Sequence, residues 1–396
     1  MLKILKILVI SYFFLIIFSF SHIFYLFWFN IVLDFFWRGG YEWIKSGIVS
    51  VYWILFWIWT LFFLLRYKLY KNDYKILRGI WIIVFWMVVS TILSISIFGS
   101  VIWLSEKYHW LLYFLSLVTF FSSLYFWFDK WEYRKILNYV FVFSIFSYLY
   151  AFIQFLWLDP LANFYETRVS LTRATAFLWN ANYLAWYVLI LLSLSKFIDK
   201  KILRRWFILI SYLVLLMTWS YFWIFLWIIY FLYSIYSFNK KIFVFSLVSF
   251  VVLLAFIVNS IWIEKQWSLF ARPYIWKTSV IAIINTPKTI LFWYWPDTLQ
   301  LVFDKYKVPE LLVYETENYT ADRSHNIFLD FIYFFWIFWG WFIIYFIFKW
   351  YRLSKNKDIK LSILLFVLFF SFNIAVSIHY IFILFLLSWI YNKNLK

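Results

Sequence analysis

The residues best suited to chemistry lie in the stretch Asp322-Arg323-Ser324-His325-Asn326. Histidine titrates near neutrality, so an imidazole at the mouth of an apolar segment can act as a general base. Asp330 follows on the same segment, and on a helix it would lie roughly 140° around from His325, which makes it a candidate to orient the imidazole. The alternative is a histidine that only anchors the end of a helix.

Two further stretches carry an arginine among polar or aromatic residues. Thr172-Arg173-Ala174-Thr175 leads into Asn180-Ala181-Asn182, and Ala271-Arg272-Pro273-Tyr274-Ile275-Trp276 lies later in the chain. Arginine suits phosphate groups because its planar donors bind them bidentately. The alternatives are an Arg173 that reaches lipid head groups and an Arg272 on a helix that lies flat on a membrane surface.

The composition shows what must position these residues. Of the 396 residues, 66% are hydrophobic and 14% are charged, against about 25% charged in soluble domains. Residues 79–104 and 242–262 carry no charge at all, and about 20 apolar residues suffice to cross a bilayer. The first apolar run, which begins near Leu5, is long for a cleaved signal peptide, so we expect a retained helix.

Hydropathy predicts an all-α, polytopic transmembrane bundle of about twelve spans. Residues 1–262 would hold spans one to nine, 263–324 one large extracytoplasmic loop with short helices, and 325–396 the last three spans and a cytoplasmic C-terminus. The predicted spans are 5–29, 47–65, 79–104, 110–128, 138–157, 176–197, 206–218, 220–237, 242–262, 325–348, 361–374 and 376–392.

Positive charge is sorted along the chain. Lysine and arginine are concentrated at both termini and in every second connection. By the positive-inside rule, these segments face the cytoplasm, which predicts a multi-pass protein of the cytoplasmic (inner) membrane. Two outward connections carry arginines on the disfavoured side, namely 158–175 with Arg168 and Arg173, and 263–324 with Arg272 and Arg323. Anion binding is the expected reason.

Several function classes are excluded or disfavoured. The net charge of +18 suggests nucleic acid, but the charges are sorted by connection and form no single patch, so we expect no nucleic-acid partner. The chain has no cysteine, which excludes disulfides, thiol nucleophiles and cysteine metal sites. The four histidines show no metal-ligand spacing, so we predict neither a metal nor a cofactor.

Four segments in order resemble the O-antigen ligase and O-antigen polymerase family of bacterial envelope biosynthesis. Residues 173–185 (RATAFLWNANYLA) resemble the family pattern R-x-T-G-x-x-x-N-P-N-x-x-A, and 218–220 (TWS) resemble T-x-S-R. Residues 272–276 followed by 291–297 (LFWYWPD) resemble R-x-x-x-W and a G-x-G-P turn, and 325–329 resemble H-N-x-x-L. Ala181 replaces the proline of the pattern and Tyr221 the arginine, so that arginine contributes nothing here.

The resemblance implies transfer of a glycan from polyprenyl (undecaprenyl) pyrophosphate to a hydroxyl acceptor at the outer face of the membrane. The acceptor would be a lipid core, a growing polysaccharide or a protein, and membrane lipids would surround the bundle. His325 would be the base, and Arg173 and Arg272 would hold the pyrophosphate. Substrate-binding residues would be Arg168, Asn180, Asn182, Arg323, Asn326 and Asp330.

Tryptophan and glycine have exchanged their usual frequencies. Tryptophan numbers 29 and glycine only 6, although glycine normally supplies about 7% of a chain. Tryptophan stands at glycine positions of the pattern at Trp293, Trp295, Trp336 and Trp339, although a G-x-G-P turn needs positive φ. We hypothesise that the source organism reads UGA as glycine and that the sequence was translated with tryptophan. UGG codons at Trp293 and Trp295 would refute this.

The competing function class is a transporter or flippase of lipid-linked glycans. It would also need outward-facing arginines and a cavity within the membrane. Against it, the sequence has no repeated halves and no pair of interrupted helices in matching positions. The long spans also carry few ionisable residues, whereas a transporter is expected to place such groups near the midplane.

Overall fold

The structure, a computed structural model, is all-helical over the residues that it describes, with turns and short connections and no strand among them. This confirms the predicted all-α class. The described residues are 2–18, 42–66, 71–92, 111–158, 173–178, 180–218, 266–285, 299–317, 319–321, 324–326, 328–330, 345, 347–370 and 377–391.

The helices, in chain order, are α1 (Leu2–Phe18), α2 (Glu42–Arg66), α3 (Lys71–Ile92), α4 (Leu111–Trp127), α5 (Lys130–Phe155), α6 (Ala181–Leu194), α7 (Lys201–Met217), α8 (Gln266–Asn285), α9 (Leu299–Tyr306), α10 (Lys357–Phe370) and α11 (Ser377–Tyr391). Short 3₁₀ helices occupy Ala176–Leu178, Ser195–Phe197 and Pro309–Val313. Two of the described helices, α2 over Ile48–Arg66 and α5, are long and apolar enough to cross a membrane. The predicted eighth and ninth spans lie outside the described residues.

Several helices begin before the predicted spans, among them α3, which begins at Lys71 where residue 79 was predicted. Two of the differences have a clear local cause. The fifth span was expected from residue 138, but α5 begins at Lys130, because the Asp129 side chain accepts a 2.9 Å hydrogen bond from the Glu132 backbone N–H and caps the helix. The sixth was expected as one span over 176–197, but the α-helical part begins only at Ala181, after a 3₁₀ turn and an Asn180 cap. Hydropathy detects apolar length and does not detect these caps.

Hydroxyl side chains bring α2 and α4 close together. Ser116 and Ser123, two turns apart on α4, donate to the backbone carbonyls of Val49 and Phe56 on α2, the second over 2.9 Å. The Trp127 indole donates to the carbonyl of Trp59 over 3.1 Å. Small polar residues that bond across a helix pair permit close backbone approach between apolar helices.

The centre of the bundle is α6, whose residues from Leu184 to Leu194 are all buried. A helix that is apolar on every side must be enclosed by others. Tyr187 on α6 shares a 2.6 Å hydrogen bond with Ser144 on α5, and Ser193 shares one of 2.6 Å with Ser362 on α10. Helix α6 is therefore held along its length by the helices on either side of it.

Polar contacts at one end of the bundle join segments that charge sorting assigns to the cytoplasm. They are the ion pairs Lys6–Glu132 at 2.6 Å and Lys196–Asp358 at 2.8 Å, and a 3.3 Å hydrogen bond from Asn138 to Asp199. Segments assigned to the outer side meet at the opposite ends of the same helices, where the end of α5, the start of α6 and the end of α7 come together.

The described part of the predicted outer loop packs α8 against α9 and the 3₁₀ helix Pro309–Val313. Lys277 forms a 2.7 Å ion pair with Glu310, and the Thr278 hydroxyl accepts a 3.3 Å hydrogen bond from the backbone N–H of Val308. The rings of Tyr274 and Tyr314 stack at 5.5 Å. These contacts fix the helix that carries Arg272.

Candidate functional site

The N-terminus of α6 is built from the two asparagines of the first arginine motif. Asn180 has an extended backbone, and its side-chain oxygen accepts a 2.8 Å hydrogen bond from the backbone N–H of Asn182, which caps the helix. The side-chain oxygen of Asn182 accepts a 3.3 Å hydrogen bond from an Nη of Arg173. One asparagine thus begins the helix and the other binds the arginine.

Arg173 lies between the start of α6 and the end of α7. Its Nε donates a 2.9 Å hydrogen bond to the carbonyl of Thr218, and the neighbouring Ala174 N–H donates one of 3.0 Å to the carbonyl of Met217. The last carbonyls of a helix have no partner within the helix and carry partial negative charge. A half-buried guanidinium is therefore fixed at the C-terminus of α7.

Gln154 holds the segment of chain that presents Arg173. This buried side chain near the end of α5 accepts hydrogen bonds from the backbone N–H groups of Thr175 and Ala176, at 3.1 and 2.8 Å. Sequence analysis did not place Gln154 in the site, because its partners lie on another helix connection. Its buried amide oxygen satisfies two backbone donors that would otherwise be unpaired.

Ala176 has a left-handed backbone, with φ of 47°, and its side chain is buried. Left-handed backbone is disfavoured for residues with a Cβ and is the usual reason for glycine. Position 176 is the one to which the pattern R-x-T-G assigns glycine. The geometry of the turn therefore gives a physical reason for glycine there, although this chain has alanine.

Arg272 lies on α8 between the buried residues Ala271 and Ile275. Burial lowers the pKa of its guanidinium, while Tyr183 and Tyr319 lie close enough to act on this pKa in the opposite direction. Arginine stays protonated at neutral pH even so. Its charged form therefore carries a desolvation cost that an anionic ligand would offset.

Tyr183 directly follows Asn182, the residue that binds Arg173, and it acts electrostatically on Arg272 by raising the pKa of its guanidinium. The first turn of α6 thus binds Arg173 through Asn182 and influences the charge of Arg272 through Tyr183. The ring of Tyr183 also packs edge-on against buried His379 on α11, with centroids 5.3 Å apart. Sequence analysis missed Tyr183 and Tyr319, and the only available signal was the position of Tyr183 beside the motif asparagine.

His325 is half-buried and occupies a left-handed turn, with φ of 56°. Asp330 was expected to orient the imidazole as if both residues shared a helix. The two residues do not share a helix, because the helical turn begins only after Asn326, whose side-chain oxygen accepts hydrogen bonds from the N–H groups of Phe328 and Leu329 at 2.9 and 3.2 Å. A role of Asp330 in orienting the imidazole stays a prediction.

The described contacts of Asp330 instead fix the turn itself. Its Oδ1 accepts a 2.9 Å hydrogen bond from the Ser324 backbone N–H and a 2.6 Å hydrogen bond from the Ser324 hydroxyl, and both residues are buried. Asp330 therefore determines the backbone from which His325 projects. Tyr319, which acts electrostatically on Arg272, precedes this turn in the chain.

Four other residues were predicted to bind substrate: Arg168, Arg323, Asn180 and Asn326. Arg168 and Arg323 lie outside the described residues. Asn180 and Asn326 both act as helix caps through their side-chain oxygens. Within the described part of the chain, no group of three or more His, Asp and Glu side chains could hold a metal ion.

Arg173, held at the start of α6, is suited to bind a phosphate group, and His325, in its braced turn, is suited to accept a proton. Comparison with known protein families, with curated proteins and with solved structures finds no match for this chain.

Proposed function

We propose that the protein is a membrane glycosyltransferase that moves a glycan from polyprenyl pyrophosphate to a hydroxyl acceptor at the outer face of the cytoplasmic membrane. The observation that carries the proposal is the hydrogen bond that holds Arg173 to Asn182 in the first turn of α6, where the next residue, Tyr183, acts electrostatically on Arg272. Two guanidinium groups on different elements suit a pyrophosphate, which has two charged groups to bind.

In this mechanism the acceptor hydroxyl gives its proton to His325 as its oxygen attacks the anomeric carbon of the donor sugar. A bond forms between the acceptor oxygen and that carbon, while the bond from the carbon to the pyrophosphate oxygen breaks. The electron pair leaves with polyprenyl pyrophosphate, and Arg173 and Arg272 stabilise the charge that develops there. The donor carries its own leaving group, so no nucleotide takes part.

The membrane arrangement belongs to the same proposal. We infer about twelve spans with both termini in the cytoplasm, and the large outer loop covers the site. The ion pairs Lys6–Glu132 and Lys196–Asp358 support this topology, because they join segments that charge sorting assigns to the same side. Arg173 and Gln154 lie at the opposite ends of the helices, as an outer site requires.

The proposal is tested with Arg173→Lys and Arg272→Lys in proteoliposomes that contain a polyprenyl-pyrophosphate oligosaccharide and a hydroxylated acceptor. Lysine keeps the charge and loses the planar pair of donors, so kcat/KM is expected to fall about 10- to 100-fold at either position, equivalent to roughly 1.4 to 2.8 kcal/mol. Arg134→Lys, at the predicted cytoplasmic end, is the matched control. Unchanged transfer in both site variants would contradict the proposal.

A further inference from the structure

Helix α7 carries a continuous exposed apolar stripe. Its members are exposed by 44–72% of their surface, and they recur at the spacing that keeps residues on one helix face: Ile202, Trp206, Leu209, Leu213 and Leu216. The opposite face packs into the bundle through Phe207, Ser211, Val214 and Leu215. The stripe is therefore the outer surface of a helix whose inner surface is already occupied.

The stripe ends at the anion-binding residue of the candidate site. The carbonyls of Met217 and Thr218, directly after Leu216, accept hydrogen bonds from Ala174 N–H and Arg173 Nε. Leu209 to Leu216 covers roughly 10 Å of helix at 1.5 Å per residue. The apolar stripe thus ends in the same helical turn as the carbonyl that binds Arg173, at the C-terminal end of α7.

We propose that this face of α7 binds the polyprenyl chain of the pyrophosphate-linked donor. The inference rests on the proposed function and adds the location of the lipid tail. Charge complementarity selects the occupant, since a lipid with a pyrophosphate head matches an apolar stripe that ends at Arg173. In a bilayer the tail gains little by leaving other lipid chains. The head group held at Arg173 therefore determines the location of the tail.

α5 supplies a matched comparison. It carries an equally exposed apolar stripe, with Tyr139 at 49%, Val142 at 42%, Phe146 at 56% and Leu149 at 53%. Among the described contacts its C-terminal end meets Thr175 and Ala176 through the neutral Gln154, whereas α7 ends at a guanidinium. Bulk lipid should cover both stripes alike, while a tail tethered by its head group should lie on α7.

The test uses undecaprenyl pyrophosphate with a photoactivatable diazirine on its prenyl chain, incorporated into proteoliposomes with the intact protein. Adducts are mapped by mass spectrometry and compared between 209–216 of α7 and 142–149 of α5. The proposal predicts an excess of adducts on α7. Excess unlabelled undecaprenyl pyrophosphate should remove this excess, and an equal amount of undecaprenol or anionic phospholipid should leave it.

Equal labelling of the two helices, or α7 labelling that phosphatidylglycerol removes as effectively, would overturn the inference. The competition is carried out on the wild-type protein, so it does not depend on the folding of a variant. Labelling needs binding but no turnover. An α7 excess without glycan transfer would thus support the lipid site and contradict the glycosyltransferase, whereas transfer with equal labelling would contradict only the lipid site.

Discussion

At position 157, glycine is expected to give a more stable protein than alanine. At a tryptophan position within a helix, the opposite order is expected. Trp157 follows the C-terminus of α5 with φ of 63°, and its side chain is 66% exposed. Its N–H bonds to the carbonyl of Gln154 at 3.0 Å, and the N–H of Leu158 bonds to that of Ile153 at 3.2 Å. This hydrogen-bond pair defines a Schellman motif, in which glycine normally occupies the left-handed position.

The expected difference in stability between the two variants follows from the left-handed backbone at this position. A residue with a Cβ pays about 1–2 kcal/mol in the left-handed region, while glycine costs about 0.5–1 kcal/mol of additional chain entropy on folding. Trp157→Gly should therefore be more stable than Trp157→Ala by about 0.5–1 kcal/mol. Both variants lose the indole, so its packing cancels in the comparison.

Trp81 is the matched control, because it is 63% exposed and lies inside α3. There alanine should be more stable than glycine by about 1 kcal/mol. Unfolding of the four variants, followed by circular dichroism in one detergent, should show this reversal of sign between the two positions. Alanine at least as stable as glycine at position 157 would refute the backbone argument.

The same comparison bears on the hypothesis that UGA is read as glycine. A preference for glycine at position 157 gives one physical reason for glycine at a position printed as tryptophan. The gene provides the independent test, since a UGG codon at Trp157 would remove this position from the hypothesis. The difference in stability between glycine and alanine at position 157 would then be explained by the turn alone.

Three further predictions concern the elements that hold the site. Ala176→Gly should raise the free energy of unfolding by up to about 1 kcal/mol, because it relieves a left-handed backbone; an unfolding midpoint below wild type would contradict this. Gln154→Met should lower stability by roughly 2–4 kcal/mol, since two buried N–H groups lose their acceptor, and a neutral result in detergent unfolding would refute it. Asp330→Ala should lower glycan transfer with little change in donor binding, whereas Asp330→Asn, which keeps an acceptor for Ser324, should retain most transfer; equal transfer in both variants would contradict the bracing role.

The all-helical class could be predicted from hydropathy, while helix limits depended on local caps. At α5 the first turns carry Lys130, Glu132 and Arg134, so hydropathy placed the start too late, although Asp129 followed by Glu132 is a readable capping signal. At α6 the broken start at Asn180 left no mark in average hydropathy. Hydropathy therefore misses the terminal turns of a helix when those turns carry charged residues.

The site was predictable where its partners are close in sequence. Arg173 and Asn182 were selected together, and they form a hydrogen bond. The acceptor for Arg173 Nε, the carbonyl of Thr218, is a backbone atom at the end of another helix, so no side-chain pattern could specify this role. The electrostatic influence of Tyr183 on Arg272 joins residues of two separate segments, and a single sequence carries no local signal for it.

The most direct test of the account is release of free polyprenyl pyrophosphate by purified protein given a polyprenyl-pyrophosphate oligosaccharide, a hydroxylated acceptor and EDTA. Wild type is compared with His325→Asn, since asparagine tolerates the left-handed backbone at this position and removes the base. If His325 is the base of a metal-independent transferase, wild type releases polyprenyl pyrophosphate in EDTA only with acceptor present, and the variant loses about 100-fold or more of this release. Equal release by the variant, or none by wild type with several donors, would contradict it and favour a transporter of lipid-linked glycans.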